Sequence, residues 1–304
     1  MGILSLRCMP EAGSLHACLL RKTLLVGAAW VGMVFPTGAS AGAWIREPGH
    51  FFAKVGANFS SAYDPVNEPV GLEQQVMAFS LFAEVGLPYR MDLVVDVPYV
   101  VATNGFRSEA RYDNHSFGDA HIQLDRGLFS RLQLTAALDL KVPMYRTLSA
   151  TATTGLVEIN HKIYPSSSFP EVGNGTVELT PKLLYGKSFN PRPLWFTAEL
   201  GARLRFGGLA QGLYASAGSG AWVWPEHLAL ALYGSVAYNF SSRASALRPS
   251  GEDAQYAVYF GGSVIVSGAP WLPWLKIFGS AGTLLLESKS KTGTDFGVGV
   301  AVEY

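Results

Sequence analysis

Charge is scarce in this sequence, and what there is cancels. Asp, Glu, Lys and Arg make up 15% of the 304 residues, against roughly 25% in soluble domains. A deficit of that size points to a membrane or to a very large core. The 23 basic and 23 acidic residues leave no net charge, so nothing favours a polyanion and nucleic acid is not an expected partner. Cysteine is nearly missing. Cys8 and Cys18 both lie near the start, and loss of that segment leaves neither a disulfide framework nor a thiolate metal site. His16, His50, His115, His121, His161 and His227 show no metal-ligand spacing, and no phosphate loop or dinucleotide fingerprint is present. No cofactor or metal is expected. Helical membrane spans are missing as well. The uncharged run Ala254–Leu275 is broken by Gly261, Gly262 and Pro270 and has period two, not 3.6.

What is present begins with a leader. Arg21 and Lys22 precede an uncharged run from Thr23 to Phe35, then Pro36, and then Ala39-Ser-Ala41. Positive flank, short apolar run and small-residue cleavage site predict a signal peptide over residues 1–41. A membrane anchor needs about 20 apolar residues, more than this run holds. The mature chain, 42–304, is then a single domain.

Alternation fills that domain. A strand sends successive side chains to opposite faces, and twelve such segments recur. They lie near Gly49–Phe59, Gln74–Val85, Arg90–Val100, Phe117–Leu128, Arg131–Val142 and Thr176–Lys187, then Leu194–Phe206, Gly212–Trp224, His227–Phe240, Ala254–Val266, Trp274–Leu284 and Asp295–Tyr304. Short turns follow the even-numbered segments. Long connections follow most odd ones: Ser60–Glu73, Ala102–Ser116, Pro143–Gly175, Ser241–Asp253 and Glu287–Thr294, with Gly207–Gln211 the short exception. An even count, segments of about 9–11 residues or slightly more, and loop length sorted by parity predict an all-β fold. It is an antiparallel transmembrane β-barrel of about 12 strands. A soluble sandwich offers no reason for that sorting. Each unpaired backbone group costs several kcal/mol in hydrocarbon, so the last strand must close on the first. Only Gly42–Pro48 then precede the wall, too little for an N-terminal hatch domain.

Two side-chain sets follow from the pattern. Tyr89, Phe129, Phe189, Trp195, Trp222, Trp224, Trp271, Trp274 and Tyr304 fall on the short-turn side, where an interfacial girdle is expected; Tyr99, Phe206, Tyr238, Phe240 and Tyr256 fall at the other ends. The inward parity holds Lys54, then Glu84, Asp92, Asp96, Asp125 and Asp139 with Lys141. Next come Lys182, Arg203 and Arg205 against Glu178 and Glu199, and then Tyr214, Ser216, Tyr233, Ser235 and Tyr259. An acidic wall beside a basic one, with a neutral wall opposite, would set a transverse field that sorts polar solutes. The alternative is that these charges pair and fill a narrow lumen. Catalysis has one foothold, Asn114-His115-Ser116. Neighbouring strand residues point to opposite faces, so no catalytic residue is assigned.

The terminal segment places Phe296, Val298, Val300, Val302 and Tyr304 on one face and Gly297, Gly299, Ala301 and Glu303 on the other. It resembles the C-terminal signal of bacterial outer-membrane barrels, which ends in an aromatic and is read by the barrel-insertion machinery. Gly42-Ala-Trp-Ile-Arg-Glu-Pro-Gly-His50 with Phe51-Phe-Ala-Lys-Val-Gly56 resembles the mature start of a group of uncharacterised outer-membrane barrels. Ala83-Glu-Val-Gly-Leu87 and Met91-Asp-Leu-Val-Val-Asp-Val-Pro98 resemble the phenol-degradation-pathway barrels, relatives of long-chain fatty-acid transporters. The resemblance implies an outer-membrane protein passing small aromatic or apolar solutes, in contact with outer-membrane lipids. The expected function is a passive channel. A lipid-modifying enzyme and a structural or adhesive barrel working through its loops are the alternatives.

Overall fold

In the computed structural model the described residues are 44–63, 73–105, 111–145, 156–159, 162–165, 172–173, 175–206, 211–225, 227–240, 256–268, 272, 274–287 and 292–304. Residues 1–41, expected as a leader, and Trp271 lie outside them.

Thirteen of the strands build one sheet. In chain order the wall runs β1 (Phe51–Tyr63), β2 (Glu73–Leu87), β3 (Met91–Gly105), β4 (Arg111–Phe117), β5 (Asp119–Phe129) and β6 (Leu134–Pro143). A separate hairpin, β7 (Leu156–Ile159) with β8 (Lys162–Pro165), interrupts it. The wall resumes with β9 (Glu178–Ser188), β10 (Leu194–Arg205), β11 (Gly212–Trp224), β12 (Leu228–Asn239), β13 (Tyr256–Ser267), β14 (Leu275–Glu287) and β15 (Thr292–Glu303). β4 and β5 are one wall strand broken at Gly118, so the wall has twelve. Every neighbour is antiparallel, and β15 closes on β1 from Phe52↔Glu303 to Tyr63↔Thr292. Phe51 and Tyr304 add a ring stack at that seam, centroids 5.8 Å apart.

Closure satisfies the backbone ladder, and alternation separates the faces. Met77, Phe79, Leu81 and Val85 of β2 are exposed outward, as are Phe296, Val298 and Val300 of β15. In water this surface would be an aggregation liability; in hydrocarbon it is the stable arrangement. The opposite parity carries the buried polar groups, including Asp92, Asp125, Thr135 and Arg205.

The structure corrects several boundaries. The polar stretch Ala102–Ser116, expected as a long connection, is mostly strand: β3 runs to Gly105 and β4 starts at Arg111. Likewise β1 reaches Tyr63 and β14 reaches Glu287. Ladder hydrogen bonds continue past the apolar band, whereas the sequence pattern marks only the band. Between Tyr99↔Phe117 and Asp96↔His121, two residues of β3 face three of the partner strand. Pro98 has no N–H to give, and Gly118 N–H donates to its carbonyl at 2.8 Å. This bulge flips the parity of the strand. Asn114 and Ser116 point inward beyond it and His115 points outward.

Candidate functional site: the lumen wall

Side-chain reach identifies the concave face. From β9, Lys182 Nζ donates to Gln123 Oε1 on β5 at 2.7 Å and lies 3.0 Å from Asp139 Oδ2 on β6 and 3.4 Å from Glu199 Oε1 on β10. One ammonium touching three other strands is possible only from inside. Register then extends this face round the barrel. One row reads Lys54, Phe82, Asp96, His121, Lys141, Glu178, Arg205 from β1 to β10. The next reads Glu303, Phe52, Glu84, Val94, Gln123, Asp139, Thr180. A third carries Asp92 and Asp125 side by side, then Ala137, Lys182, Gly201 and Tyr214.

The charges on these rows pair mostly with neighbouring strands. Lys141 Nζ is 3.2 Å from Asp119 Oδ2, and Asp119 shares the inward parity of His121 and Gln123 along β5. Arg205 Nε donates to Glu178 Oε2 at 2.8 Å, and Arg203 Nε stands 3.8 Å from the same carboxylate. Tyr214 donates to Glu199, and its ring takes the Arg203 guanidinium at 5.1 Å. β11, β12 and β13 bring no charge to this face among their described residues. They present Tyr214, Ser216, Tyr233, Ser235 and Tyr259, with Tyr233 and Tyr259 stacked at 6.3 Å. All the expected inward residues, Lys54, Glu84, Asp92, Asp96, Asp125, Asp139, Lys141, Lys182, Glu199, Arg203 and Arg205, lie on this parity.

The aromatic set divides. Tyr89, Trp224, Trp274 and Tyr304 are exposed at the rim with the short turns. Trp195 and Trp222 are not girdle residues. Trp195 is level with Gly220, and a Cβ there would overlap its indole; Trp222 faces buried Ala229 and lies 6.2 Å from Trp195. Trp195 shares the parity of Thr197 and Glu199 on β10, and Trp222 that of Tyr214 and Ser216 on β11, so they line the lumen. Position at a strand end marks height in the membrane, whereas parity decides the face.

Three inward features were not foreseen. Phe52, Phe82 and Phe278 form an edge-to-face cluster, with centroids 5.9 and 6.1 Å apart. Val172, from the connection after β6, packs against inward Val100 and Ala102 near the other rim, beside Tyr145. Tyr145 Oη donates to Asp119 at 3.0 Å and accepts from Gly175 N–H at 2.8 Å. Lastly, the segment before β1 folds into the rim. The Arg46 N–H donates to Asp92, its guanidinium reaches Glu84 and Glu303 at 3.0 and 2.7 Å, and it covers Phe52. A cavity of about 470 Å³ lies between this segment and the turns after β2 and β5, lined by Trp44, Ile45, Tyr89, Arg90 and Leu134 among others.

His115 and Ser116 face opposite sides, so they cannot act together as base and nucleophile. Among the described residues no three His, Cys, Asp or Glu side chains converge as a metal site would require.

No family model matches the chain, and no curated protein matches it. Solved structures do match in fold. An outer-membrane channel from Pseudomonas putida F1 is 14% identical and superposes with a TM-score of 0.59, covering 89% of this chain and 100% of that one. The NanC porin is 8% identical with a TM-score of 0.50, covering 83% of this chain and 100% of that one. The chain thus has the fold of outer-membrane β-barrels.

Proposed function

We propose that this protein is a passive outer-membrane channel for small solutes. The carrying observation is the closed twelve-strand wall, apolar outside, with an inner face of ion pairs, tyrosines and half-buried aromatic rings. The fold is shared with a protein described as an outer-membrane channel and with a porin, which supports the reading. Its location is the outer membrane, with lipid as the partner of the Met77–Val85 and Phe296–Val300 faces. The β15 strand, ending in Glu303-Tyr304, is the segment read by the insertion machinery. Small aromatic or apolar solutes are the expected cargo, because Phe52, Phe278, Trp195 and Trp222 set aromatic rings among the polar groups of the wall.

The neighbour-to-neighbour ion pairs favour a second reading, a lumen too narrow to conduct. Planar-bilayer recording with the purified protein separates the two. Stepwise conductance is expected, and a silent bilayer containing folded protein would refute the channel.

A further inference from the structure

Every inward-facing base described here has a carboxylate within ion-pair distance, with one exception. Arg46, Lys141, Lys182, Arg203, Arg205 and Lys276 are all paired. Among the described residues Lys54 has no such partner. Its ammonium instead sits 5.5 Å from the ring centroid of Phe278. Asp96, beyond Phe82 in the same row, attracts it without reaching ion-pair distance. An ammonium with no carboxylate in contact, set against an aromatic ring on a lumen wall, can take a mobile anion.

The surroundings select which anion. Phe52 and Phe278 meet edge to face, and buried Phe82 backs Phe52. These rings are the directly paired neighbours of Lys54 or lie one position from it: Lys54↔Phe82 across β1 and β2, Phe278↔Gly299 across β14 and β15. Beside them the wall carries almost no side chains. Gly56, Gly297 and Gly299 floor a cleft that also includes Asn58 and Ser280. A Cβ at Gly56 or Gly299 would stand 3.7 or 3.6 Å from Lys54 Cε, and one at Gly297 would overlap both Asn58 Oδ1 and Ser280 Oγ. The glycines therefore leave only a small cleft next to the ammonium, about 20 Å³, with the Asn58 amide and the Ser280 hydroxyl lying over Gly297; a ligand's ring must lie outside it, on the lumen side.

We propose that this patch is a binding subsite for a small aromatic carboxylate, held by its carboxylate on Lys54 and by its ring against Phe278. The assignment rests on the channel reading for its purpose but not for its test. A ring without charge gains only the aromatic contacts, and a small anion without a ring gains only the ammonium. An aromatic amine meets a repelling charge.

Equilibrium dialysis of benzoate against the full barrel in detergent micelles, blanked with empty micelles, reads binding without requiring conduction. Benzoate is expected to bind in preference to acetate and to benzylamine. Lys54→Gln should bind it about tenfold more weakly, Lys54→Arg should retain it, and Phe278→Leu should weaken it severalfold. A cold-gel mobility shift confirms that each variant is folded. Benzoate bound no better than by empty micelles, or equally well by folded Lys54→Gln, overturns the subsite. Stepwise conductance accompanying that result leaves the channel reading intact. Benzoate binding by a barrel that does not conduct supports the subsite and refutes the channel.

Discussion

Arg46 and Glu303 are 257 positions apart and share a 2.7 Å ion pair at the rim with the short turns. Glu303 also receives Lys276 from β14, and Arg46 also receives Glu84 from β2. The residue just ahead of the wall thus bridges its closing seam, β2-β1-β15-β14, from the inside.

Arg46→Ala removes this bridge and leaves Glu84, whose side chain is only 7% exposed, without its base. Uncompensated burial of that carboxylate should cost about 2–3 kcal/mol, measured as a lower urea midpoint for the folded band. The same change leaves Trp44–Pro48 held at position 46 by its backbone N–H bond to Asp92 alone, and so loosens the segment at the mouth. Single-channel conductance should therefore rise even as stability falls, a combination that a purely structural ion pair does not give.

The basic wall tests the transverse field, and the structure shows where to cut it. Arg205 is a poor choice, because its side chain is 2% exposed against Glu178 and reversal there would bring down the fold. Arg203 is 30% exposed and holds Glu178 at 3.8 Å. Arg203→Glu should shift the reversal potential in a salt gradient toward cations. An unchanged reversal potential would remove the field and leave the charges a packing role.

Much of this was legible in alternation alone. Parity fixed by Lys54, Glu84 or Asp92 assigns Phe52, Phe82 and Val94 inward without a structure. The same parity, anchored at Thr197 and Glu199 for Trp195 and at Tyr214 and Ser216 for Trp222, would have moved both from the girdle to the lumen. Other features were beyond it. The Gly118 bulge depends on Pro98 facing it from another strand, and it reverses the parity of Asn114-His115-Ser116. The inward fold of Arg46 depends on three carboxylates from three strands. Both are non-local, and neither leaves a periodic trace.

Gly201 has a measurable role beside Tyr214. The tyrosine ring lies over Gly201 on the neighbouring strand, so close that a Cβ would overlap it. Gly201→Val must push the ring aside and break its hydrogen bond to Glu199. A loss of about 1–3 kcal/mol is expected from overpacking, read as a lower urea midpoint. Gly279, where an added Cβ meets nothing within 4 Å, should tolerate alanine, and the contrast between the two sites is the check.

The membrane itself is tested by two adjacent residues of β2. Leu81 is 55% exposed on the outward face, while Ser80 faces the lumen opposite Gly56. In a water-soluble barrel Leu81→Arg would be nearly neutral, because the side chain would already be solvated. In a bilayer Leu81 sits near the middle of its strand, and the arginine should cost about 2–4 kcal/mol. Ser80→Arg can extend into the aqueous lumen and should cost less. Urea unfolding in liposomes decides between them: a larger loss for Leu81→Arg places that face in lipid, and equal small losses would mean that it is not.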